Sequence, residues 1–198
     1  MTEVIFDRAA LLDAFAALGR LAWAAGRTVE IAVYGGSALM LSFDWRAATK
    51  DVDGVYENDR DIVRKLAALV AQERGWPVDW LNDGVNGFLS ARDGEADVKR
   101  PCGEFPSADE PGLRVFVPRP EYLFAMKCRA MRVGGVDENS DIGDIRNLAR
   151  EIGVADADAA LALVGSFYPG SQLQPKVQFG LEEIFSRRAD DMAPGGLS

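Results

Sequence analysis

The run TVEIAVY at 28–34 passes without a linker into Gly35-Gly36-Ser37, and this junction constrains the fold more than any other stretch. Its β-branched, apolar residues favour a buried strand. The ALMLSF that follows reads as a short helix. A strand joined to a helix through two glycines demands a tight turn, with the helix start held beside the strand end. After a loop at 44–49, DVDGVY at 51–56 alternates polar and apolar residues as a half-buried strand does.

The flanking chain supplies helices and short strands. DRAALLDAFAALGRLAWAAG at 7–26 brings Leu11, Leu12, Phe15, Leu18 and Trp23 near helical spacing, starts at an Asp7 cap and stops at Gly26. Residues 59–74 carry Ile62, Val63, Leu66, Leu69 and Val70 on one face and end at Gly75-Trp76-Pro77. Short strands are expected near 78–81, 87–91 and 113–117. The stretch 92–112, rich in glycine, proline and charge, reads as a loop or loose hairpin.

From Pro120 the pattern turns helical through EYLFAMKCRAMR, DIGDIRNLAREIG, ADAALALVGSFY and VQFGLEEIFSRRA. The expected class is α+β, a small mixed sheet flanked by helices with a C-terminal helical part. The expected divisions are 1–118 as core, 119–190 as helical part and 191–198 as a frayed tail. With 198 residues, 48% of them hydrophobic, one sizeable core and a helical appendage account for the chain. Neither a membrane span nor a signal peptide is evident, so a cytoplasmic location is expected.

Composition narrows the chemistry. The chain has no histidine, which removes Ser-His-Asp and Cys-His catalysis and histidine metal ligation. Cys102 and Cys128 stand apart with no CxxC spacing, the pattern of two reduced thiols rather than a zinc site or a disulfide framework. Any catalysis must use carboxylates, lysine, hydroxyls or bound hard cations. The net charge of −9 lacks the global basic footprint of a protein that grips nucleic acid with its whole surface.

Side chains alternate along a strand, so Asp51 and Asp53 share one face and Val52 points into the core. Two neighbouring carboxylates repel unless a cation lies between them, and a hard cation such as Mg²⁺ suits oxygen ligands completed by water and phosphate. Gly35 and Gly36 let a ligand approach the backbone, and the helix start at Ser37 offers N–H groups to an anion. Taken singly, a DxD is also an ordinary solvated strand edge and a glycine pair an ordinary turn. In this order they bring a phosphate cradle and a carboxylate pair to neighbouring strand ends.

YGGSALMLSFDWRAATKDVD at 34–53 resembles the signature of the DNA polymerase β-type nucleotidyltransferase superfamily, a glycine-serine turn before a DxD strand. WLNDGVNGFLS, PEYLFAMKCRAMR, DENSDIGDIRNLAREIG and QFGLEEIF extend the likeness to the AbiEii-related, MenT-like nucleotidyltransferases of bacterial toxin–antitoxin and abortive-infection systems. The likeness is poorest over 92–112. It implies that Gly35, Gly36, Ser37 and Thr49 bind nucleotide, Asp51 and Asp53 hold Mg²⁺ or alternatively Mn²⁺, and Lys127 meets the triphosphate. Asp144, with Asp141 as its neighbour, matches the last acidic motif.

The chain departs from that pattern in two ways. Thr49 stands where serine is usual, which keeps the hydroxyl. No third carboxylate on a later strand is evident, with Asp83 and Asp97 as candidates. Lys127 after LFAM also fits a helix lysine whose stem lies on apolar surface, and Asp144 also fits a structural pair with Lys127 or Arg146.

The implied activity is transfer of NMP from an NTP to an acceptor hydroxyl. The implied partners are an RNA or tRNA 3′ end as acceptor and a cognate antitoxin. Modification of a protein or small molecule, and a non-catalytic binding module on the same fold, are the alternatives.

Overall fold

The computed structural model describes residues 4–131, 140–170 and 173–192. The chain divides into two compact units, residues 1–87 with 95–119, and residues 88–94 with 120–198. Seven α-helices and two sheets are formed among the described residues, so the class is mixed α+β.

In the first unit, β1 (Phe6–Asp7) leads into α1 (Arg8–Ala24), β2 (Val29–Tyr34), α2 (Gly35–Ser42), β3 (Ala48–Thr49), β4 (Val52–Tyr56) and α3 (Arg60–Arg74). Then come β5 (Leu81–Asn82), a 3-10 turn at Gly84–Phe88, β6 (Lys99–Pro106) and β7 (Pro111–Pro118). The Asp7 carboxylate accepts from the Ala10 N–H at 2.7 Å, which is the helix cap expected there.

The main sheet has the order β5-β4-β2-β7-β6. Its central strand β2 is antiparallel to β4 and parallel to β7. One face of it, Val29, Ile31 and Val33 with Val52, Leu113, Val115 and Val117, is fully buried. Helix α1 lies against β6 and β7, with the Phe15 ring 5.6 Å from that of Phe105, and α3 packs beside α1. On the other face, Arg114 of β7 joins Glu30 and Glu104 of the flanking strands at 3.3 and 3.0 Å.

Four details differ from the sequence pattern. Leu69 is half exposed, because Ile62 and Leu69 lie one heptad apart at the border of the stripe that Val63, Leu66, Ala67 and Val70 bury. Trp23, near the end of α1, is 44% exposed. The expected strand at 87–91 is absent, since the Ser90 N–H and hydroxyl are spent on the Tyr122 hydroxyl and the Phe167 carbonyl. Residues 99–106, read as part of a loop or loose hairpin, form the edge strand of an antiparallel hairpin with β7, with a register shift between Pro101 and Gly103. An edge position tolerates the prolines and the bulge that argue against a central strand.

The second unit holds α4 (Pro120–Ala130), α5 (Ser140–Glu151), α6 (Ala157–Phe167) and α7 (Pro175–Met192). Tyr122 stacks on Phe167 at 5.0 Å, and Ile145, Leu148, Val164, Val177 and Leu181 complete the core. Segment 88–94 is stitched to this core. Besides the Ser90 bonds, Tyr168 donates to the Phe88 carbonyl at 2.7 Å and the Arg92 guanidinium covers the Phe167 ring. The helix expected over 121–132 ends at Ala130, with Arg132 outside the described residues, and residues 191–192 of the expected 191–198 tail belong to α7, the rest of that tail lying outside the described residues. No helix among the described residues is long and apolar enough to cross a membrane.

Candidate functional site

Register between β2 and β4 creates the site. Tyr34 faces Asp53 across the antiparallel pair, so the first residue of α2 begins beside the start of β4. Gly35 has φ +60°, a conformation that an L side chain resists, and a Cβ there would lie 2.6 Å from Asp53 Oδ2. A Cβ on Gly36 would lie 2.8 Å from Thr49 Oγ1 and 3.3 Å from an Arg46 guanidinium nitrogen. Both glycines are therefore demanded by close approach, beyond the needs of a turn.

Two hydroxyls lock the same corner. Ser37 Oγ donates to the Asp51 carbonyl at 2.7 Å, and Thr49 Oγ1 donates to the same oxygen at 3.1 Å. Both residues are buried. Val52 is fully buried and its N–H donates to the Trp80 carbonyl at 2.8 Å, which pins the middle of DVD in the core. Asp51 is exposed and Asp53 half-buried, so both carboxylates are accessible.

Helix α2 is oriented by charge as well as by packing. Arg8 donates to the Met40 carbonyl at 3.0 Å and Arg100 to Ser42 Oγ at 3.2 Å, two cations at the negative end of the helix. At its positive end stands the Asp53 carboxylate, while Tyr34, the capping residue, makes no side-chain capping bond to the helix.

Gly35, Gly36, Ser37, Thr49, Asp51 and Asp53 are thus brought together in the first unit. The donor set suits a hard divalent cation, because its side-chain donors are carboxylate and hydroxyl oxygens. Among the described residues no group of three His, Cys, Asp or Glu side chains is arranged to hold a metal ion. Two carboxylates would leave the remaining positions to water and substrate oxygens, which is how Mg²⁺ is commonly held.

The two candidates for a third acid have other surroundings. Asp83 follows β5 and takes up Arg60 and Arg64, the latter at 3.1 Å. Asp97 is exposed in the turn before β6.

Lys127, Asp141 and Asp144 are brought together in the second unit. The Lys127 ammonium lies 2.9 Å from each carboxylate, and the Asp144 side chain is 4% exposed. Burial works to lower the Lys127 pKa, but the attraction of Asp144 and Asp141 outweighs it and the net shift is upward. The pairing of Lys127 with Asp144, one of the two structural roles open to that aspartate from its spacing, is present.

Sequence reasoning missed Arg46, whose neighbour in space is Gly36, ten positions earlier in the chain. Only its place in the short α2–β3 connection signalled it. Cys102 and Cys128 are free thiols, and burial pushes both of their pKa values up, away from nucleophilic or ligating use. Comparison with family models, curated proteins and solved structures finds no match to this chain.

Proposed function

We propose that the chain is a Mg²⁺-dependent nucleotidyltransferase of the polymerase β-type superfamily, moving NMP from an NTP to an acceptor hydroxyl with release of pyrophosphate. The observation that carries this reading is the corner at which the glycine start of α2 abuts the Asp53 carboxylate. A polyphosphate held on the α2 start meets carboxylates that can share its cation.

Each residue has a physical task. The main chain at Gly36 and Ser37, with the positive end of α2, binds phosphate oxygens. Ser37 and Thr49 hold the Asp51 backbone, so that its carboxylate is presented at a defined angle. Asp51 and Asp53 hold Mg²⁺ or Mn²⁺, which when bound neutralises phosphate charge and orients the leaving group. Of the two accessible carboxylates, Asp53 can accept the proton of an attacking hydroxyl. Positioning and charge neutralisation supply most of the rate. The role of Lys127 and Asp144 in catalysis rests on the family likeness alone.

The same likeness supports an RNA or tRNA 3′ end as acceptor, and a toxin role with a cognate antitoxin. The net charge of −9 favours the alternative of a protein or small-molecule acceptor. Incubation with each α-labelled NTP, Mg²⁺ and separate pools of RNA, protein and small molecules distinguishes them. Label entering RNA supports the first acceptor, and label entering only protein refutes it. Asp53 beside the α2 start also fits a purely structural helix partner, and hence a non-catalytic module. If Asp51→Asn and Asp53→Asn leave Mg²⁺-dependent NTP binding and label transfer unchanged, the enzyme reading is wrong.

A further inference from the structure

A cavity of about 150 Å³ in the second unit is lined by Phe88, Arg129, Gln174, Lys176 and Val177, none of which has a task in nucleotide binding above. Its charge is one-sided. Two cations line it and no carboxylate does, in a chain of net charge −9. Neither Arg129 nor Lys176 forms an ion pair among the described residues, whereas Lys127, two positions before Arg129, is taken up by Asp141 and Asp144. Arg129 is held in place all the same. Its Nη1 donates to the Phe88 and Leu89 carbonyls at 3.3 and 3.4 Å, and the guanidinium lies over the Tyr168 ring, 4.7 Å from its centre. These neutral partners fix its direction and leave its charge for an anion.

The same wall carries an aromatic ring that packing leaves open to solvent. Phe88 is 41% exposed and enters no ring contact among the described residues, although its carbonyl is anchored by the Tyr168 hydroxyl. Phe179, about one turn beyond Lys176 on α7, is 64% exposed. A single exposed ring is ordinary. A ring beside two cations without ion pairs is the combination that takes a nucleotide of a single strand, with the base on the π face and the phosphate on the cations.

Size favours a polymer over a free small molecule. Pockets that enclose a whole small ligand measure about 300–1,000 Å³. A cavity of 150 Å³ therefore admits one group of a larger ligand, whose remainder continues outside.

We propose that this cavity is a subsite for the acceptor strand, in which Arg129 and Lys176 bind one backbone phosphate of single-stranded RNA and an unpaired base stacks on Phe88. The assignment rests on the nucleotidyltransferase reading and deepens it, naming single-stranded RNA as the acceptor. The acidic chain as a whole does not oppose it, because salt screens exposed charges beyond about 10 Å and the nearest cations dominate.

The test is fluorescence anisotropy with a short labelled oligoribonucleotide of mixed sequence, single-stranded or annealed to its complement, over a range of salt. Wild type is compared with Phe88→Ala and Lys176→Gln. Phe88→Ala should bind the single strand about five- to 150-fold more weakly and leave duplex binding unchanged, since paired bases cannot stack on the ring. Lys176→Gln should weaken binding and reduce the slope of log affinity against log salt by about 0.7, the share of one phosphate contact.

An unchanged single-strand affinity in Phe88→Ala, or an unchanged salt slope in Lys176→Gln, overturns the subsite. So does an equal loss for single strand and duplex in Phe88→Ala, the mark of a distorted 88–94 segment. Poly-glutamate that displaces the oligonucleotide as well as unlabelled RNA does also overturns it, in favour of an acidic polypeptide. If Phe88→Ala fails to fold, Phe88→Leu, which keeps bulk without the π face, decides by the same comparison. Calorimetry of NTP binding with Mg²⁺ to the wild type separates the two readings. Nucleotide bound without RNA overturns the subsite and leaves the nucleotidyltransferase reading standing, while RNA bound without nucleotide overturns that reading and the acceptor role with it.

Discussion

Gly35→Ala tests the corner on which the functional reading depends. An L residue at φ +60° costs about 1–2 kcal/mol. The new Cβ would meet Asp53 Oδ2 at 2.6 Å, so the carboxylate must swing away. Displacing a side chain from its rotamer costs ~0.5–1.5 kcal/mol, and Gly35→Ala should therefore lose about 1.5–3.5 kcal/mol in all. In an Asp53→Ala background the second contribution vanishes and only about 1–2 kcal/mol remains.

The double-mutant cycle thus predicts a coupling of ~0.5–1.5 kcal/mol between two residues eighteen positions apart. Urea unfolding followed by tryptophan fluorescence measures it. All four tryptophans, Trp23, Trp45, Trp76 and Trp80, belong to the first unit and report on it selectively. Equal costs of Gly35→Ala in both backgrounds, within about 0.3 kcal/mol, would falsify the close approach of the α2 start to Asp53.

Further outcomes concern the second unit. Lys127→Met keeps the stem but removes the ammonium shared by Asp141 and the buried Asp144, so a loss of ~3–5 kcal/mol is expected by thermal melts followed by helical circular dichroism. Adding Asp144→Asn should recover part of it, and a loss below about 1 kcal/mol would show that the pair is not buried in solution. Because the folded Lys127 pKa lies above the ordinary lysine value of 10.5, its contribution is full below that pH and fades as pH rises through the folded value. The stability difference between wild type and Lys127→Met should accordingly be flat from pH 7 to 9 and shrink above about pH 10.5; a difference that grows there refutes the sign. Ser90→Ala removes the 2.6 Å bond to the Phe167 carbonyl and should lower the same melt by ~1–3 kcal/mol; an unchanged melt would show that segment 88–94 is not anchored there.

Local chemistry was legible in the chain wherever neighbours in sequence are neighbours in space. The Asp7 cap, the β2-to-α2 junction, the burial of Val52 between two accessible aspartates and the α+β class all follow from propensity, capping and the two-residue strand period. Prolines and glycine left 92–112 open between a loop and a loose hairpin, because only sheet order makes β6 an edge strand that tolerates them. Segment 87–91 looked extended, yet Tyr122 and Phe167, remote in sequence, took the Ser90 bonds that a ladder would have used.

The site divides along the same line. Sequence alone selected Gly35, Gly36, Ser37, Asp51 and Asp53 by type and order, as a candidate phosphate cradle and carboxylate pair, and the family resemblance added Thr49. Tertiary structure decided that Tyr34 registers with Asp53, that both hydroxyls meet on the Asp51 carbonyl and that Arg46 closes on Gly36. Those contacts depend on the pairing of β2 with β4 and on the course of the α2–β3 connection. Both are set by packing over the whole sheet, which no local window of residues contains.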